Sequence, residues 1–166
     1  MDGRRREMPP ELFAAEVARE LPRLRRFARV LMRPAEAADD LVQETVLRAI
    51  AARRQFTPGT NLRAWLFVIL RNARNAELRR LRNAPLLGEA GQFHPGISGG
   101  QEERQHMRDL ASAFLRLPQP QREALWLVVV EGVDYGEAAR VLGIPVGTVR
   151  SRLSRAREAL RIALMD

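Results

Sequence analysis

The 166-residue chain contains no cysteine and no lysine, and only 5% of its residues are aromatic. The lack of cysteine excludes disulfides, thiolate metal sites and a cysteine nucleophile. The scarcity of aromatic residues favours a small helical bundle over a β-sheet. Apolar runs are far too short to cross a bilayer, and acidic residues follow the basic N-terminal ones, which is not the pattern of a signal peptide. We therefore expect a cytoplasmic protein that does not enter a membrane.

Groups that support catalysis or hold a metal are equally scarce. The two histidines, His94 and His106, have no further ligand at metal-binding spacing. Ser98 lies in the glycine-rich "GISGG", which lacks the lysine and the following helix of a phosphate-binding loop. We expect no catalytic residue, no metal, no cofactor and no small-molecule substrate, and an enzyme is the least favoured class.

The chain has an excess of positive charge, all of it from arginine. There are 28 basic residues against 20 acidic ones, and the net charge is +8. Such an excess indicates a polyanionic partner, either nucleic acid or an acidic membrane surface. Arginine suits bidentate contacts with phosphate and guanine. A coding bias of the whole genome would also remove lysine, and we give that explanation more weight for this one feature.

Helical periodicity divides the chain into two parts. Residues 84–104 hold five glycines and little periodicity, so they are predicted to form a flexible linker and a domain boundary. We predict an all-α fold of two small helical domains, residues 1–83 and 105–166, on either side of this linker. Apolar residues recur every three or four positions in the predicted helices, which are 10–31, 35–52, 61–82, 121–131, 135–142 and 145–165. Helical patterning also resumes near Gln105, with Leu110, Phe114 and Leu117, until Pro118 interrupts it.

The stretch "VLGIPVGTVRSRLSRAR" (141–157) predicts a helix-turn-helix. Gly143 is expected to end one helix in the left-handed conformation, and Pro145 to occupy the first position of the next. One face of that second helix is apolar, with Val146, Val149, Leu153, Ala156 and Leu160. The opposite face carries Arg150, Ser151, Ser154 and Arg155, flanked by Arg152 and Arg157. A solvated basic face is the simpler interpretation of the arginines alone, but the turn and the apolar complement together favour DNA binding.

A second stretch, "DDLVQETVLRA" (39–49), places polar residues on one helix face. Asp40, Gln43, Glu44 and Leu47 share that face, roughly opposite a predicted apolar stripe of Val42, Val46, Ala49 and Ile50. Glu44 is spaced to pair with Arg48. An ordinary solvated face with one salt bridge is the interpretation that physical chemistry alone favours. The alternative is a docking face for a basic partner helix, with Leu47 as an apolar anchor.

The order of these stretches along the chain resembles that of the extracytoplasmic-function (ECF) sigma factors. These are the smallest promoter-specificity subunits of bacterial RNA polymerase. The resemblance covers nearly the whole chain. "DDLVQETVLRA" looks like their region 2.2, "NLRAWLFVILRNARNAELRR" (61–80) like regions 2.3 and 2.4, and residues 117–160 like region 4. "FTPGTNLRAWLF" is similar to the general-stress-response subgroup. The resemblance implies a subunit that binds core RNA polymerase, directs initiation at specific promoter DNA and is inhibited by an anti-sigma factor.

The resemblance also implies a role for individual residues. Docking on the clamp helices of the largest polymerase subunit would involve Asp40, Gln43, Glu44 and Leu47. The −10 promoter element would be opened and held by Phe56, Gly59, Thr60, Asn61, Arg71, Asn72, Arg74, Asn75, Arg79 and Arg80. Bases of the −35 element would face Arg150, Ser151, Ser154 and Arg155, while Thr148, Arg152 and Arg157 would contact phosphates.

The basic third helix supports part of this assignment by itself. A basic helix behind a Gly-Pro loop suits single-stranded DNA, because charge follows the backbone and a shaped loop can trap a flipped base. Trp65 is either a stacking platform or a core residue, and its neighbours Leu62 and Ile69 favour the core. The alternative function is a helix-turn-helix regulator that acts without being a polymerase subunit.

Overall fold

The structure is a computed structural model that describes residues 8–32, 34–82 and 101–165. Within these ranges every regular element is helical, with short 3₁₀ and π turns at Arg53–Gln55 and Trp126–Val130. The α-helices are α1 Pro10–Leu31, α2 Ala35–Ala51, α3 Leu62–Arg82, α4 Gln101–Arg116, α5 Gln119–Leu125, α6 Tyr135–Leu142 and α7 Val146–Met165.

The described residues form two compact units, the first containing α1 to α3 and the second α4 to α7. The predicted all-α fold of two small helical domains is therefore confirmed. The helix α4 begins at Gln101, four residues before the predicted start of the second domain. Most of the predicted linker lies outside the described residues, and its boundaries stay a prediction.

The first unit is a bundle in which α1, α2 and α3 each pack against the other two. Phe27 of α1 and Phe67 of α3 are fully buried, and their ring centroids are 4.9 Å apart. Leu24, Leu66 and Leu70 are buried around them. Truncating such a buried aromatic residue to alanine typically costs about 3–5 kcal/mol, so this contact is a major contribution to the stability of the unit.

The buried stripe of α2 differs from the predicted one. Leu41 and Thr45 are buried in the core, whereas Ile50 is 43% exposed. The hydroxyl of Thr45 donates a hydrogen bond of 2.7 Å to the carbonyl of Leu41. Because that polar group is satisfied within its own helix, threonine packs as an apolar residue would. The true core face of α2 is therefore rotated from the predicted one, and Ile50 is left at the surface.

In the second unit, α7 packs against α4, α5 and α6. The predicted helix over residues 121–131 begins earlier, at Gln119, and ends in the π turn, where the amide of Glu131 donates to the carbonyl of Trp126 over 3.0 Å. The helix α6 is capped by Asp134, whose carboxylate accepts a 2.8 Å hydrogen bond from the amide of Glu137. This cap fixes the start of the helix-turn-helix.

The turn between α6 and α7 has the predicted left-handed glycine. Gly143 has φ 63° and ψ 38°, and the amide of Ile144 donates to the carbonyl of Ala139 over 3.1 Å. Pro145 lies one residue before α7 instead of at its first position, and its carbonyl accepts from the amides of Thr148 and Val149. The proline still removes an amide that would have no acceptor at a helix start.

Replacing Gly143 with alanine is expected to lower the free energy of unfolding of the second unit by about 1–2 kcal/mol, because the left-handed conformation is strained for alanine. A β-carbon there would meet no atom within 4 Å, so the loss is purely a backbone effect. Urea denaturation monitored by circular dichroism measures the loss, and hydrogen exchange of α6 and α7 assigns it to this unit.

The matched control for this change is Gly147→Ala. Gly147 also has open space around a β-carbon, but it lies in α7 without a positive φ. There alanine should stabilise by about 0.5–1 kcal/mol. Gly143→Asn should cost less than Gly143→Ala because asparagine tolerates the left-handed region. Equal effects of the two alanine substitutions would contradict the role given to the turn.

Candidate nucleic-acid and protein interfaces

The exposed side of α7 is the first candidate interface. We call its exposed residues Arg150, Ser151, Ser154 and Arg155 the recognition face. The opposite side is fixed in the core by Val149, Leu153 and Ala156, each at most 1% exposed. Of the other residues predicted for that apolar side, Val146 is 37% exposed and Leu160 is half-buried. Three buried residues on successive turns therefore set which side chains α7 presents.

The residues predicted to flank the recognition face lie at its edges. Arg157 is exposed, while Thr148 and Arg152 are half-buried. The hydroxyl of Ser151 donates to the carbonyl of Thr148 over 3.0 Å. Because its proton is committed to the backbone, this serine can only accept hydrogen bonds from a ligand in that rotamer.

The charge of the recognition face is not neutralised from within the protein. In the described part of the chain, Arg150, Arg155 and Arg157 have no carboxylate within 4.0 Å. The nearby Glu158 is bound by Arg161, with 2.6 Å between Oε1 and Nη2. The hydrogen bond from Arg161 lowers the pKa of the Glu158 carboxyl. This glutamate is therefore ionised at neutral pH and already paired, which leaves the other arginines free for a polyanion.

The second candidate interface is the loop before α3, which packs against a cluster of three aromatic rings. Phe56 is only 7% exposed, and its ring centroid lies 6.0 Å from that of Phe13 and 5.5 Å from that of Trp65. The core interpretation of Trp65 is thus supported over a free stacking platform. The DNA contact of Phe56 stays a prediction; in the structure its side chain packs within the aromatic cluster under the loop.

The other predicted residues of this loop are exposed, and several of their polar atoms shape the backbone. Gly59 has φ 87°. The hydroxyl and the amide of Thr60 both donate to the carbonyl of Thr57, over 2.6 and 3.2 Å. The side-chain oxygen of Asn61 accepts from the amide of Ala64 over 3.1 Å, which makes Asn61 the cap of α3. The loop is therefore held in one shape by its own hydrogen bonds.

The predicted DNA contacts on α3 lie at different depths. Asn72 and Arg79 are exposed, whereas Arg71 is half-buried. Arg74 and Asn75 are also half-buried, and Arg74 donates to the side-chain oxygen of Asn75 over 3.3 Å.

Arg80, at the C-terminal end of this set, is engaged within its own helix. It pairs with Glu77 at 2.6 Å, and its hydrogen bond lowers the pKa of the Glu77 carboxyl. A phosphate would have to compete with that carboxylate for Arg80.

The third candidate interface is the polar face of α2. Asp40, Gln43, Glu44 and Leu47 are all exposed, and Leu47 is 65% exposed. Arg48 donates to Glu44 over 2.6 Å, so the predicted helix salt bridge is confirmed. Ile50 lies one turn beyond Leu47 and extends the apolar part of this face. The face therefore combines carboxylates with two large exposed apolar side chains, which an ordinary solvated face does not need.

Two family models and several known sigma factors match this chain. Residues 107–160 match the family described as Sigma-70, region 4, and residues 17–71 match the Sigma2 domain of PhyR. The chain is 42% identical over 151 residues to the ECF RNA polymerase sigma factor EcfG of Rhodopseudomonas palustris, covering 90% of this chain and 83% of that protein. The chain belongs to the ECF sigma factors of RNA polymerase. It therefore acts in promoter-specific transcription initiation.

Other relatives agree with this assignment. Over 126 residues the sigma factor is 39% identical to SigC of Mycobacterium tuberculosis, covering 75% of this chain and 68% of that one. Its fold matches the sigma factor RpoE of Bartonella quintana, solved in complex with the anti-sigma factor NepR, with a TM-score of 0.78 and 36% identity over 92% of this chain and 96% of that one. The matches to EcfG and to the PhyR domain favour the general-stress-response subgroup.

Neither a metal site nor a membrane span is found in the described ranges. No group of three histidine, aspartate or glutamate residues there could hold a metal ion. None of the described helices combines the length and hydropathy needed to span a membrane.

Replacing Phe56 with alanine should destabilise the first unit by about 3 kcal/mol, because it leaves a cavity between Phe13 and Trp65. Phe56→Leu should cost about half as much. The chain has two tryptophans, so a Trp126→Phe background leaves Trp65, which touches Phe56, as the fluorescent reporter of urea denaturation. The exposed neighbour substitution Thr57→Ala is the control and should stay within about 0.5 kcal/mol of the parent. Unchanged stability of Phe56→Ala combined with a loss of promoter opening would contradict the packing role and favour a direct DNA contact for Phe56.

Proposed function

We propose that this sigma factor reads the −35 element with the recognition face of α7. The observation that carries the proposal is an exposed arginine and serine face, free of carboxylate partners among the described residues, on the second helix of a helix-turn-helix. The major groove of B-DNA is about 12 Å wide and admits one helix. Arg150 and Arg155 have the forked donors that suit guanine O6 and N7, while Ser151 and Ser154 suit several bases. Thr148, Arg152 and Arg157 lie at the edges, where phosphates would pass.

We further propose that α3 and the loop over residues 56–61 hold the melted −10 element. Single-stranded DNA needs a positive groove and a pocket for an unstacked base. Arg71, Arg74 and Arg79 provide charge along α3. Gly59, Thr60 and Asn61 form the exposed rim of a loop that the aromatic cluster and its own hydrogen bonds hold in place. A rigid loop favours base capture because less conformational entropy is lost on binding.

The polar face of α2 is proposed to dock on core polymerase, at the clamp helices of its largest subunit. Leu47 and Ile50 would supply apolar contact, and Asp40, Gln43 and Glu44 would supply polar contacts around it. Interfaces gain most from a few desolvated side chains within a polar rim. Held this way by polymerase, two individually weak DNA-binding units act at high effective concentration on one promoter. No catalytic group is required, and the site of action is the cytoplasm.

Control by an anti-sigma factor is also proposed. Relatives have been solved with such partners, namely RpoE with NepR and CnrH with the cytosolic domain of CnrY. In this chain the second unit exposes apolar residues that DNA does not need. Val129 and Val130 are 55% and 52% exposed, and Leu110, Ile162 and Leu164 are between 36% and 51% exposed. An inhibitor that covers such residues would explain why the unit leaves them exposed.

For the −35 element, Arg155→Ala should reduce discrimination against a scrambled −35 sequence by about 1–3 kcal/mol, because a bidentate base contact is lost. The matched substitution is Arg157→Ala. It should weaken binding to both sequences alike and reduce the salt dependence by about one phosphate contact. Promoter binding by the reconstituted holoenzyme at several salt concentrations measures both effects. Equal losses on both sequences for Arg155→Ala would make it a phosphate ligand instead.

For polymerase docking, the double substitution Gln43→Ala with Glu44→Ala should weaken binding of the chain to core polymerase roughly tenfold. Both side chains are exposed, so the helicity measured by circular dichroism should not change. Glu16→Ala is the control, because Glu16 is a half-buried carboxylate of α1 that also pairs with an arginine of its own helix, Arg19. If both variants bind polymerase like the parent, α2 is an ordinary solvated face.

A further inference from the structure

The first residue of α6, Tyr135, lies against the recognition face. The guanidinium carbon of Arg150 is 5.9 Å from the centroid of the Tyr135 ring. Both residues line a groove between the start of α6 and α7, together with Leu153, Ser154 and Arg157. This distance is within the range in which a cation is attracted by the face of an aromatic ring. The tyrosine therefore touches the proposed DNA-reading residue without belonging to its helix.

The ring is held in place by the local structure. Tyr135 directly follows Asp134, whose carboxylate caps α6 through the amide of Glu137. The side chain is half-buried, and Leu153 of the same groove is 1% exposed. The position of the ring is thus set by the helix-turn-helix core, while the guanidinium of Arg150 stays at the surface.

A ring and a carboxylate have different consequences for an arginine that must bind DNA. Arg161 is bound by Glu158, which cancels its charge and would have to be displaced by a phosphate or a base. The ring of Tyr135 carries no net charge, so it restrains Arg150 while the positive charge and the edge donors stay available. Restraining a long side chain before binding reduces the entropy lost in the complex.

We propose that Tyr135 is a positioning residue that holds Arg150 ready to contact the −35 element. The proposal rests on the −35 reading proposed above for α7. It assigns a specificity role to a residue of the first helix of the helix-turn-helix. The role belongs to the aromatic face of Tyr135 and not to its hydroxyl. We therefore expect Tyr135→Phe to keep the positioning of Arg150.

The experiment is a double-mutant cycle of Tyr135→Leu and Arg150→Ala in the full chain, assembled with core polymerase. The quantity measured is the ratio of affinities for promoter DNA with an intact and with a scrambled −35 sequence. Tyr135→Leu should lower this ratio about threefold, the size expected of an exposed cation–π contact. Tyr135→Phe should stay within about a factor of 1.5 of the parent. In the Arg150→Ala background, Tyr135→Leu should change nothing further.

The outcomes separate this proposal from the function on which it rests. If Arg150→Ala leaves the ratio unchanged, Arg150 does not read the −35 sequence, and both ideas fail at this residue. If Arg150→Ala lowers the ratio but Tyr135→Leu acts equally with and without Arg150, the −35 reading stands and the positioning role is overturned. A loss in Tyr135→Phe as large as that in Tyr135→Leu would assign the effect to the hydroxyl and also overturn the proposal.

A second measurement needs only the parent chain and so does not depend on a variant folding. The ring current of Tyr135 should shift the side-chain proton resonances of Arg150 upfield in the NMR spectrum of the free protein. The corresponding protons of Arg155 are the internal reference, because no ring contact is found for Arg155 in the described structure. Arg150 resonances at the same positions as those of Arg155 would show that the contact is not formed, and would overturn the proposal.

Discussion

The packing of one apolar stripe of α7 determines what the second unit can do. Over residues 149–157 the apolar side chains are Val149, Leu153 and Ala156, and all three are buried. Burying them fixes the rotation of α7 about its axis, and the rotation sends Arg150, Ser151, Ser154 and Arg155 to the surface together. The left-handed Gly143 and the Asp134 cap set where the two helices begin and end, but they act through this contact. A helix rotated by one residue would bury an arginine, and the free-energy cost of burying that charge would destabilise the unit.

In the first unit, the shape of the exposed loop before α3 is defined in a different way. The loop over residues 56–61 has no regular structure, so its shape depends on side chains at its two ends. Phe56 enters the aromatic cluster, and Asn61 caps α3. At the start of α3, Arg63 is also joined to Glu20 of α1, with 2.8 Å between Nε and Oε2 in a partly buried pair. A loop anchored at both ends can be exposed and still rigid, which is the combination that capture of an unstacked base requires.

Periodicity predicted the helices that are long and amphipathic. It failed to predict burial where a polar residue is buried or an apolar residue is exposed. Val149, Leu153 and Ala156 repeat with the helical period, so the orientation of α7 follows from the sequence. Thr45 is buried because its hydroxyl bonds to its own helix, and Ile50 is exposed. A hydropathy pattern assigns both residues to the wrong side, since it does not include hydrogen bonds within a helix. Phe56 could not be placed from the sequence for a related reason: its partners Phe13 and Trp65 are distant in the chain, and only the fold brings the three rings together.

The arginines of this chain differ in availability, and the difference comes from neighbours that are three or four residues away. Arg48, Arg80 and Arg161 each share their charge with a glutamate of their own helix. In the described residues Arg150, Arg155 and Arg157 have no such glutamate, so their charge is available to a phosphate or a base without prior exchange of a partner. A high net charge alone would attract DNA to every basic surface equally. The intrahelical glutamates reduce that attraction at Arg48, Arg80 and Arg161, whereas Arg150, Arg155 and Arg157 keep their full charge on the helix whose orientation the apolar stripe sets. The positive charge that α7 presents therefore depends on where carboxylates lie along the helix as well as on where arginines lie.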